Sequence, residues 1–110
     1  MDQREEVVGM ITLDYNNRLN GIVELMHGKK AFEKIGTDDL FNKAFMLDAF
    51  SIILAYNSLG DLNEVESKYF KFNEFLIKEA KRLQINIYDH LIILDKEKIF
   101  SLKNNSWINK

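Results

Sequence analysis

Few side chains in this 110-residue chain are suited to catalysis or metal binding. There are two histidines, His27 and His90, and no cysteine, which excludes a thiolate nucleophile and a cysteine-ligated metal. The histidines lie far apart in sequence, so they can bind zinc only if carboxylates join them. A turn position beside Gly28 accounts for His27. A hydrogen-bonded structural role, with Asp89 as the partner, accounts for His90.

A second group of candidates surrounds an apolar stretch in the middle of the chain. Residues Ser51–Asn57 read as a buried strand that runs into a glycine-containing loop, with a long helix beyond it. In α/β proteins, ligands gather at the carboxyl ends of such strands. Tyr56, Asn57 and Ser58 occupy that end, and none is a strong catalytic group. Glu6, ahead of the first strand, has a carboxylate that could act as a general base, but a solvated side chain explains it equally well.

Composition indicates one α/β domain over residues 1–110, with a core over 6–102 and a polar tail over 103–110. The chain is 46% hydrophobic with eight phenylalanines, which is enough for one core. Its net charge of −2 provides no general attraction to phosphate, so nucleic acid is not expected as a partner. The amino terminus lacks the apolar segment of a signal peptide. We therefore expect a cytoplasmic protein that does not enter a membrane and needs no cofactor.

Hydrophobic periodicity predicts a mixed sheet with two main helices, in the order β-β-(β)-α-β-α-β-β. The third strand is the least defined, since 29–35 reads either as a short strand or as an irregular crossing. The predicted elements are strands at Val7–Leu13 and Leu19–Met26, a helix from an N-cap at Thr37 to about Phe50, a central strand at Ser51–Asn57, a helix from a cap at Asn63 to Leu83, and strands at Gln84–Leu94 and Ile99–Leu102.

Several apolar residues fit either a buried or a binding role. Leu40, Ala44 and Leu47 share one face of the first helix, and Phe41 and Phe45 are expected to widen that face. Each of these five residues is therefore predicted to be buried.

Three further residues are candidate protein contacts. Phe70 and Ile77 lie to one side of the apolar stripe of the second helix and form either a wide buried arc or a partner-binding flank. In the polar tail, Trp107 and Ile108 either dock on the domain or contact a partner. Phe70, Ile77 and Trp107 are accordingly the predicted binding residues.

Three segments together resemble the RadC-like JAB/MPN domains. Asp39–Ala55 is similar to the helix and strand that lead into that family's His-x-His-Pro-Ser-Gly-Asp loop. Ala80–Ile93, with Ile99–Ser101 after it, resembles the family's Asp-His-Ile-Ile-Ile strand and trailing hairpin. Glu6–Arg18 is similar to the opening hairpin. The resemblance extends from Glu6 to about Leu102.

The resemblance implies a zinc hydrolase fold in which two histidines and an aspartate bind the metal and an upstream glutamate acts as general base. Here the histidine positions fall on Tyr56 and Ser58, and Leu59 alone replaces the Pro-Ser pair. The third ligand falls on Lys68, Tyr69 or Phe70, according to where the gap is placed, and Tyr69 is the middle choice. Only the general base is kept, as Glu6. We expect no metal and no catalysis at these positions.

The sequence therefore predicts a degenerate, stand-alone copy of the domain that binds another protein, with a homodimer as one form of that binding. A regulator of a host system, encoded by a phage or mobile element, would suit such a copy. Two alternatives stay open. One is a residual metal-dependent hydrolase that uses Glu6, Asp61 or Asp89, and the other is a DNA-associated accessory protein.

Overall fold

A computed structural model describes residues 6–28, 31–57, 67–95 and 98–108. The described elements, in chain order, are β1 (Val7–Leu13), β2 (Leu19–His27), a 3₁₀ helix (Ala31–Lys34), α1 (Thr37–Met46), β3 (Ser51–Asn57), α2 (Ser67–Leu83), β4 (Asn86–Asp95), β5 (Lys98–Ser101) and β6 (Ser106–Ile108). The predicted α/β class, with a mixed sheet and two main helices, is confirmed.

The strands of the described chain form one sheet in the order β2-β1-β3-β4-β5-β6. β3 pairs antiparallel with β1 and parallel with β4, and the other neighbouring strands pair antiparallel. The predicted hairpin of β1 and β2 and the predicted central position of β3 are therefore confirmed. A strand in this position has neighbours on both sides, which suits the aliphatic sequence of β3.

The handedness of the crossovers determines where the helices lie. β2, β3 and β4 run parallel to one another, and the chain moves across the sheet in one direction from β2 to β3 and from β3 to β4. Crossovers between parallel strands are almost always right-handed, so two successive crossovers in the same direction lie on the same face. Both helices accordingly pack on one side of the sheet, which makes a two-layer domain.

The core lies between the helices and this face of the sheet. Alternate residues of β1 and β3 point into it, as the period of a strand requires. The larger core side chains are Val8, Met10, Leu25, Phe32, Leu40, Phe41, Ile52, Leu54, Tyr56, Tyr69, Leu76, Ile85, Ile92 and Phe100. The predicted burial of Leu40, Phe41 and Ala44 is confirmed.

The opposite face of the sheet is aliphatic but has no helix on it in the described part of the chain. Its side chains are half-buried by one another rather than by a second layer. They include Ile11, Ile53, Ala55, Leu91, Ile93 and Ile99.

The chain before α1 decides between two expectations and corrects another. Residues 31–34 form a 3₁₀ helix, so the irregular crossing rather than the short third strand is found there, while residues 29 and 30 lie outside the described chain. Thr37 is the first helical residue rather than the N-cap. The N-cap position belongs to Gly36, whose extended backbone accepts a hydrogen bond from the Leu40 N–H at 3.1 Å.

The predicted end of α1 near Phe50 is also wrong, because the helix ends at Met46. Asp48 takes a left-handed conformation (φ 55°), and the Ala49 N–H then bonds back to the Ala44 carbonyl at 3.0 Å. This Schellman-type closure satisfies the last carbonyls of the helix. Phe45, predicted to be buried, is consequently exposed at the end of the helix.

α2 ends in the same way, so the following strand begins at Asn86 rather than at the predicted Gln84. Gln84 is left-handed (φ 64°), and the Ile85 N–H bonds to the Ala80 carbonyl at 2.9 Å. The apolar stripe of α2 is buried at Tyr69, Leu76 and Ala80. The predicted cap at Asn63 lies outside the described residues.

Replacing Gln84 with glycine is expected to raise the free energy of unfolding by about 0.5–1 kcal/mol, because glycine adopts a left-handed backbone without strain. Urea unfolding would measure the change. The matched control is Lys78→Gly in the exposed interior of the same helix, which should destabilise by about 0.5–1 kcal/mol. The explanation would be wrong if both variants were destabilised.

The predicted polar tail contains a strand. β6 pairs with β5, and the Trp107 ring packs edge-on against Phe100 with centroids 5.1 Å apart. Of the two roles considered for Trp107, the structure shows docking on the domain, although the indole remains partly exposed.

Candidate functional site

The candidate site lies where β3 ends, and three elements contribute side chains to it. Tyr56 is the penultimate residue of β3, Tyr69 lies in the first turn of α2, and Glu6 precedes β1. β1 and β3 are adjacent, with Val8 opposite Tyr56, which places Glu6 beside the end of β3. The structure thus brings together Glu6, Tyr56 and Tyr69. Ser58 and Asp61 lie outside the described residues.

An aromatic cluster fills this end of the core, with Phe32 of the 3₁₀ helix at its centre. The Phe32 ring centroid lies 4.9 Å from that of Tyr56, 4.8 Å from Tyr69 and 5.1 Å from Phe72. Tyr56 and Tyr69 also contact each other, with centroids 5.4 Å apart. The space inside the end of β3 is therefore occupied by packed rings.

The two phenols and the carboxylate of Glu6 form a small polar group at the margin of this cluster. The Tyr56 hydroxyl is close enough to the side chains of Tyr69 and Glu6 for both to act on it electrostatically. Burial raises the pKa of the Tyr56 phenol far above its usual range, and the neighbouring Tyr69 and Glu6 raise it further. Tyr56 therefore stays protonated at every physiological pH.

The carboxylate of Glu6 is held at this position by its backbone and has a buried oxygen. The Glu6 carbonyl accepts a hydrogen bond from the Gly28 N–H at 2.9 Å, and the Val7 N–H donates to the Asn57 side chain. Glu6 Oε1 is buried without a hydrogen-bond partner among the described residues. The carboxylate is thus oriented toward Tyr56 and away from bulk water on that side.

His90 is fully buried on β4, behind the same cluster. Its exposed fraction is 0%, and its ring centroid lies 6.2 Å from that of Phe32 and 6.1 Å from that of Phe72. Neither ring nitrogen has a hydrogen-bond partner within the described part of the chain. Burial lowers the pKa of His90 to about 4, although the nearby Asp89 carboxylate acts in the opposite direction. The imidazole is therefore neutral at physiological pH.

The predicted pairing of the His90 ring with Asp89 is wrong. Adjacent residues of a strand point to opposite faces, so the two side chains diverge, and a bulge at Tyr88 places His90 on the core face and Asp89 on the other. There its carboxylate accepts hydrogen bonds from the Ser101 hydroxyl at 2.8 Å and from the backbone N–H groups of His90 and Lys103. Asp89 anchors β5 and the following turn, apart from the Tyr56 cluster.

The other histidine is also distant from this cluster. His27 ends β2, and its Nδ1 lies 2.5 Å from Glu24 on the protein surface. Among the described residues, no group of three or more histidine, cysteine, aspartate or glutamate side chains is placed to hold a metal ion.

The predicted binding residues do not form one surface. Phe70 and Trp107 flank Phe100, with the Phe70 and Phe100 centroids 6.0 Å apart. Ile77 is exposed two helical turns further along α2 and lines a different hollow. The arc formed by Phe70 is thus partly buried, whereas Ile77 is free to contact a partner.

Sequence reasoning missed two residues of the site. Phe32 lies in the 3₁₀ helix, within the segment whose structure the sequence leaves undefined. Asn73 of α2 is buried, and its Oδ1 has no hydrogen-bond partner among the described residues. Asn73 follows Tyr69 by four positions, the spacing that places two residues on one helical face. That spacing would have identified Asn73, but no local pattern identifies Phe32.

The described residues at the positions that the resemblance assigns to the zinc ligands do not fit a zinc ion. Zinc binds imidazole, thiolate or carboxylate ligands. Tyr56 presents a protonated phenol. Tyr69, at the position considered for the acidic ligand, presents a hydroxyl in place of a carboxylate. The Phe32 ring packs against both. No hydrolytic step through a metal can be derived from this arrangement.

Three features place the chain in the class of JAB-like α/β domains. They are a mixed sheet with both helices on one face, a glutamate that precedes β1 and lies beside the end of β3, and a long helix that follows β3. A family model described as "RadC-like JAB domain" matches residues 1–107, and the chain belongs to this family.

Relatives in three bacteria agree with this assignment. A UPF0758 protein of Legionella pneumophila is 22% identical over 97% of this chain and 47% of its own length. A UPF0758 protein of Synechocystis is 29% identical, and the match covers 84% of this chain and 38% of the relative. A UPF0758 protein of Shewanella piezotolerans is 23% identical, and the match covers 98% of this chain and 48% of the relative. The chain therefore spans about half the length of the curated relatives it matches, or less.

None of the helices in the described part of the chain is long and apolar enough to cross a membrane.

Proposed function

We propose that this chain is a non-catalytic RadC-like JAB domain that acts by binding another protein. The observation that carries the proposal is the burial of Tyr56. Its phenol ring packs against Phe32 and Tyr69. The family resemblance implies the first zinc-binding histidine at this position. A phenol that stays protonated is a poor ligand for a divalent metal. The fold is kept while the described ligand positions are replaced.

The remaining polar groups also support a structural role. Glu6, at the position that the resemblance assigns to the general base, interacts with the Tyr56 phenol. General-base catalysis requires a carboxylate within reach of the water or hydroxyl that it deprotonates. Here the group within reach is a buried phenol, so the carboxylate stabilises the cluster.

The partner is a protein, and its site is an exposed apolar surface. Several large apolar side chains outside the core are exposed, among them Tyr15, Phe50 and Ile77. Contiguous exposed apolar surface indicates an interaction site. A cytoplasmic regulator carried by a phage or mobile element is one setting in which a binding-only copy would act, and a homodimer is one form of the binding.

Metal content tests the absence of catalysis. Protein purified without chelator, then equilibrated with zinc and desalted, is expected to retain far less than one zinc per chain when measured by mass spectrometry of the metal. Stoichiometric zinc that disappears in Glu6→Gln, Asp61→Asn or Asp89→Asn would instead support the metal-dependent hydrolase. Lys98→Glu serves as the control, because it changes an exposed charge on β5.

A further inference from the structure

A second surface lies at the other end of β3, away from the Tyr56 cluster, and is centred on Phe50. The Phe50 N–H donates to the Leu13 carbonyl at 2.9 Å, and its carbonyl accepts from the Asn86 N–H at 3.0 Å. The backbone is thus fixed between β1 and β4. The ring is nevertheless 50% exposed and meets Tyr15, itself 75% exposed, edge-on at 5.8 Å between centroids.

Phe50 separates two hollows. The first has a volume of about 440 Å³, and its apolar lining includes Tyr15 and Phe45. The second, of about 460 Å³, is lined by Ile77 of α2 together with Ile85 and Ile87. Phe50 lines both hollows, so they adjoin at its ring. We call the two hollows and the exposed side chains at their edges the Phe50 groove and define it by Tyr15, Phe45, Phe50 and Ile77.

The two ends of the Phe50 groove carry opposite charge. The charged residues that the structure places in the first hollow are Asp14 and Asp48, and those in the second are Lys81 and Lys103. The Asp14 carboxylate is fixed, since it accepts hydrogen bonds from the N–H groups of Asn16 and Arg18. The groove is therefore apolar at its centre, negative at one end and positive at the other.

We propose that the Phe50 groove binds a second copy of this chain. In a two-fold symmetric interface the same surface is used by both subunits, so it must be complementary to itself. A two-fold axis through the region of Phe50 would bring the aspartate end of each copy against the lysine end of the other. The two apolar centres would then be buried together, with four acid–base contacts at the rim.

This inference rests on the proposed function, because it gives the protein-binding role a surface and a partner. It is separate from the question of catalysis. The charge pattern favours a copy of this chain, since a single surface supplies both the acidic and the basic end that the contact requires. Self-association at the groove would also cover aromatic side chains that are costly to leave in water.

A charge-swap experiment tests the dimer. Dissociation constants would be measured by sedimentation equilibrium at low salt for the wild type, for Asp48→Lys and for Lys81→Glu. We expect a wild-type dimer that each single variant weakens by about tenfold, because symmetry places two like-charge contacts in every variant dimer. An equimolar mixture of the two variants should recover the wild-type dissociation constant as a heterodimer, since opposite charges then face each other.

Two further variants complete the test. Phe50→Ala should shift the protein toward monomer, whereas Lys98→Glu, the same charge change at the far end of β4 and β5, should leave the dissociation constant unchanged. Circular dichroism would verify that each variant is folded. A wild-type monomer, an unchanged dimer in Phe50→Ala, or no recovery in the mixture would overturn the inference. None of these results would bear on the zinc measurement, which tests the proposed function separately.

Discussion

Replacing Phe32 with alanine is expected to lower the free energy of unfolding by about 3–5 kcal/mol, the range for truncating a buried phenylalanine. Phe32 is only 6% exposed, and its ring contacts Tyr56, Tyr69 and Phe72. These partners come from β3 and α2, so the cavity would lie where three elements meet. The surrounding elements cannot move inward to fill such a cavity, because the backbone hydrogen bonds of each element hold it in place.

Urea unfolding at neutral pH would measure this change, with the two-state assumption checked by two probes. Phe75→Ala is the matched control, because Phe75 lies on α2 and its side chain is 47% exposed. That control should change stability by less than about 1 kcal/mol. If Phe32→Ala were no more destabilising than Phe75→Ala, the aromatic cluster would not be the packing centre of this end of the domain.

Acidification from pH 6.5 to pH 4 is expected to remove about 3 kcal/mol of stability through His90 alone. The folded-state pKa of His90 is about 4, below the ordinary value of 6.5. In this window the unfolded state binds a proton at His90 and the folded state does not. Stability therefore rises with pH by about 1.4 kcal/mol per unit across the window, and this contribution is complete above pH 6.5.

Carboxylates also titrate in this range, so the test compares two pH profiles. The free energy of unfolding of the wild type and of His90→Leu would be measured from pH 7.5 to pH 4. Leucine fills a similar volume and does not titrate, so the difference between the profiles should grow as pH falls and level off near pH 4. Parallel profiles would show that His90 is protonated equally in both states, contrary to its burial among Phe32 and Phe72.

Local sequence patterns predicted the elements that carry strong periodicity. β1, β2 and β3 have runs of aliphatic residues, and α2 repeats its apolar residues at helical spacing, so their type and order followed from the chain alone. The ends of the helices could not be predicted from these local patterns. Asp48 and Gln84 close their helices in a left-handed conformation that is usual for glycine. Aspartate adopts it occasionally and glutamine rarely, so the residue types did not fix these helix ends.

The candidate site also has features that the sequence predicts and features that only the structure shows. The residue types at Glu6, Tyr56 and Tyr69 are properties of the sequence, and together with the family resemblance they lead to the prediction that the usual zinc ligands are replaced. The occupant of the space was not predictable, because Phe32 comes from a segment without periodicity and reaches the cluster only through the path of the chain after β2. The partner of Asp89 was likewise decided by a bulge at Tyr88, which reverses the direction of the following side chains.

The sequence by itself therefore determined the α/β class, the order of the main elements and the chemistry available at the end of β3, because these depend on residue type and local spacing. Only the tertiary structure decided that Phe32 seals that end, that His90 is buried with no hydrogen-bond partner among the described residues, and that Asp48 and Lys81 stand at opposite ends of the Phe50 groove. These features depend on contacts between residues distant in sequence. Such contacts arise from the crossovers and the register of the sheet, which no short stretch of the chain encodes.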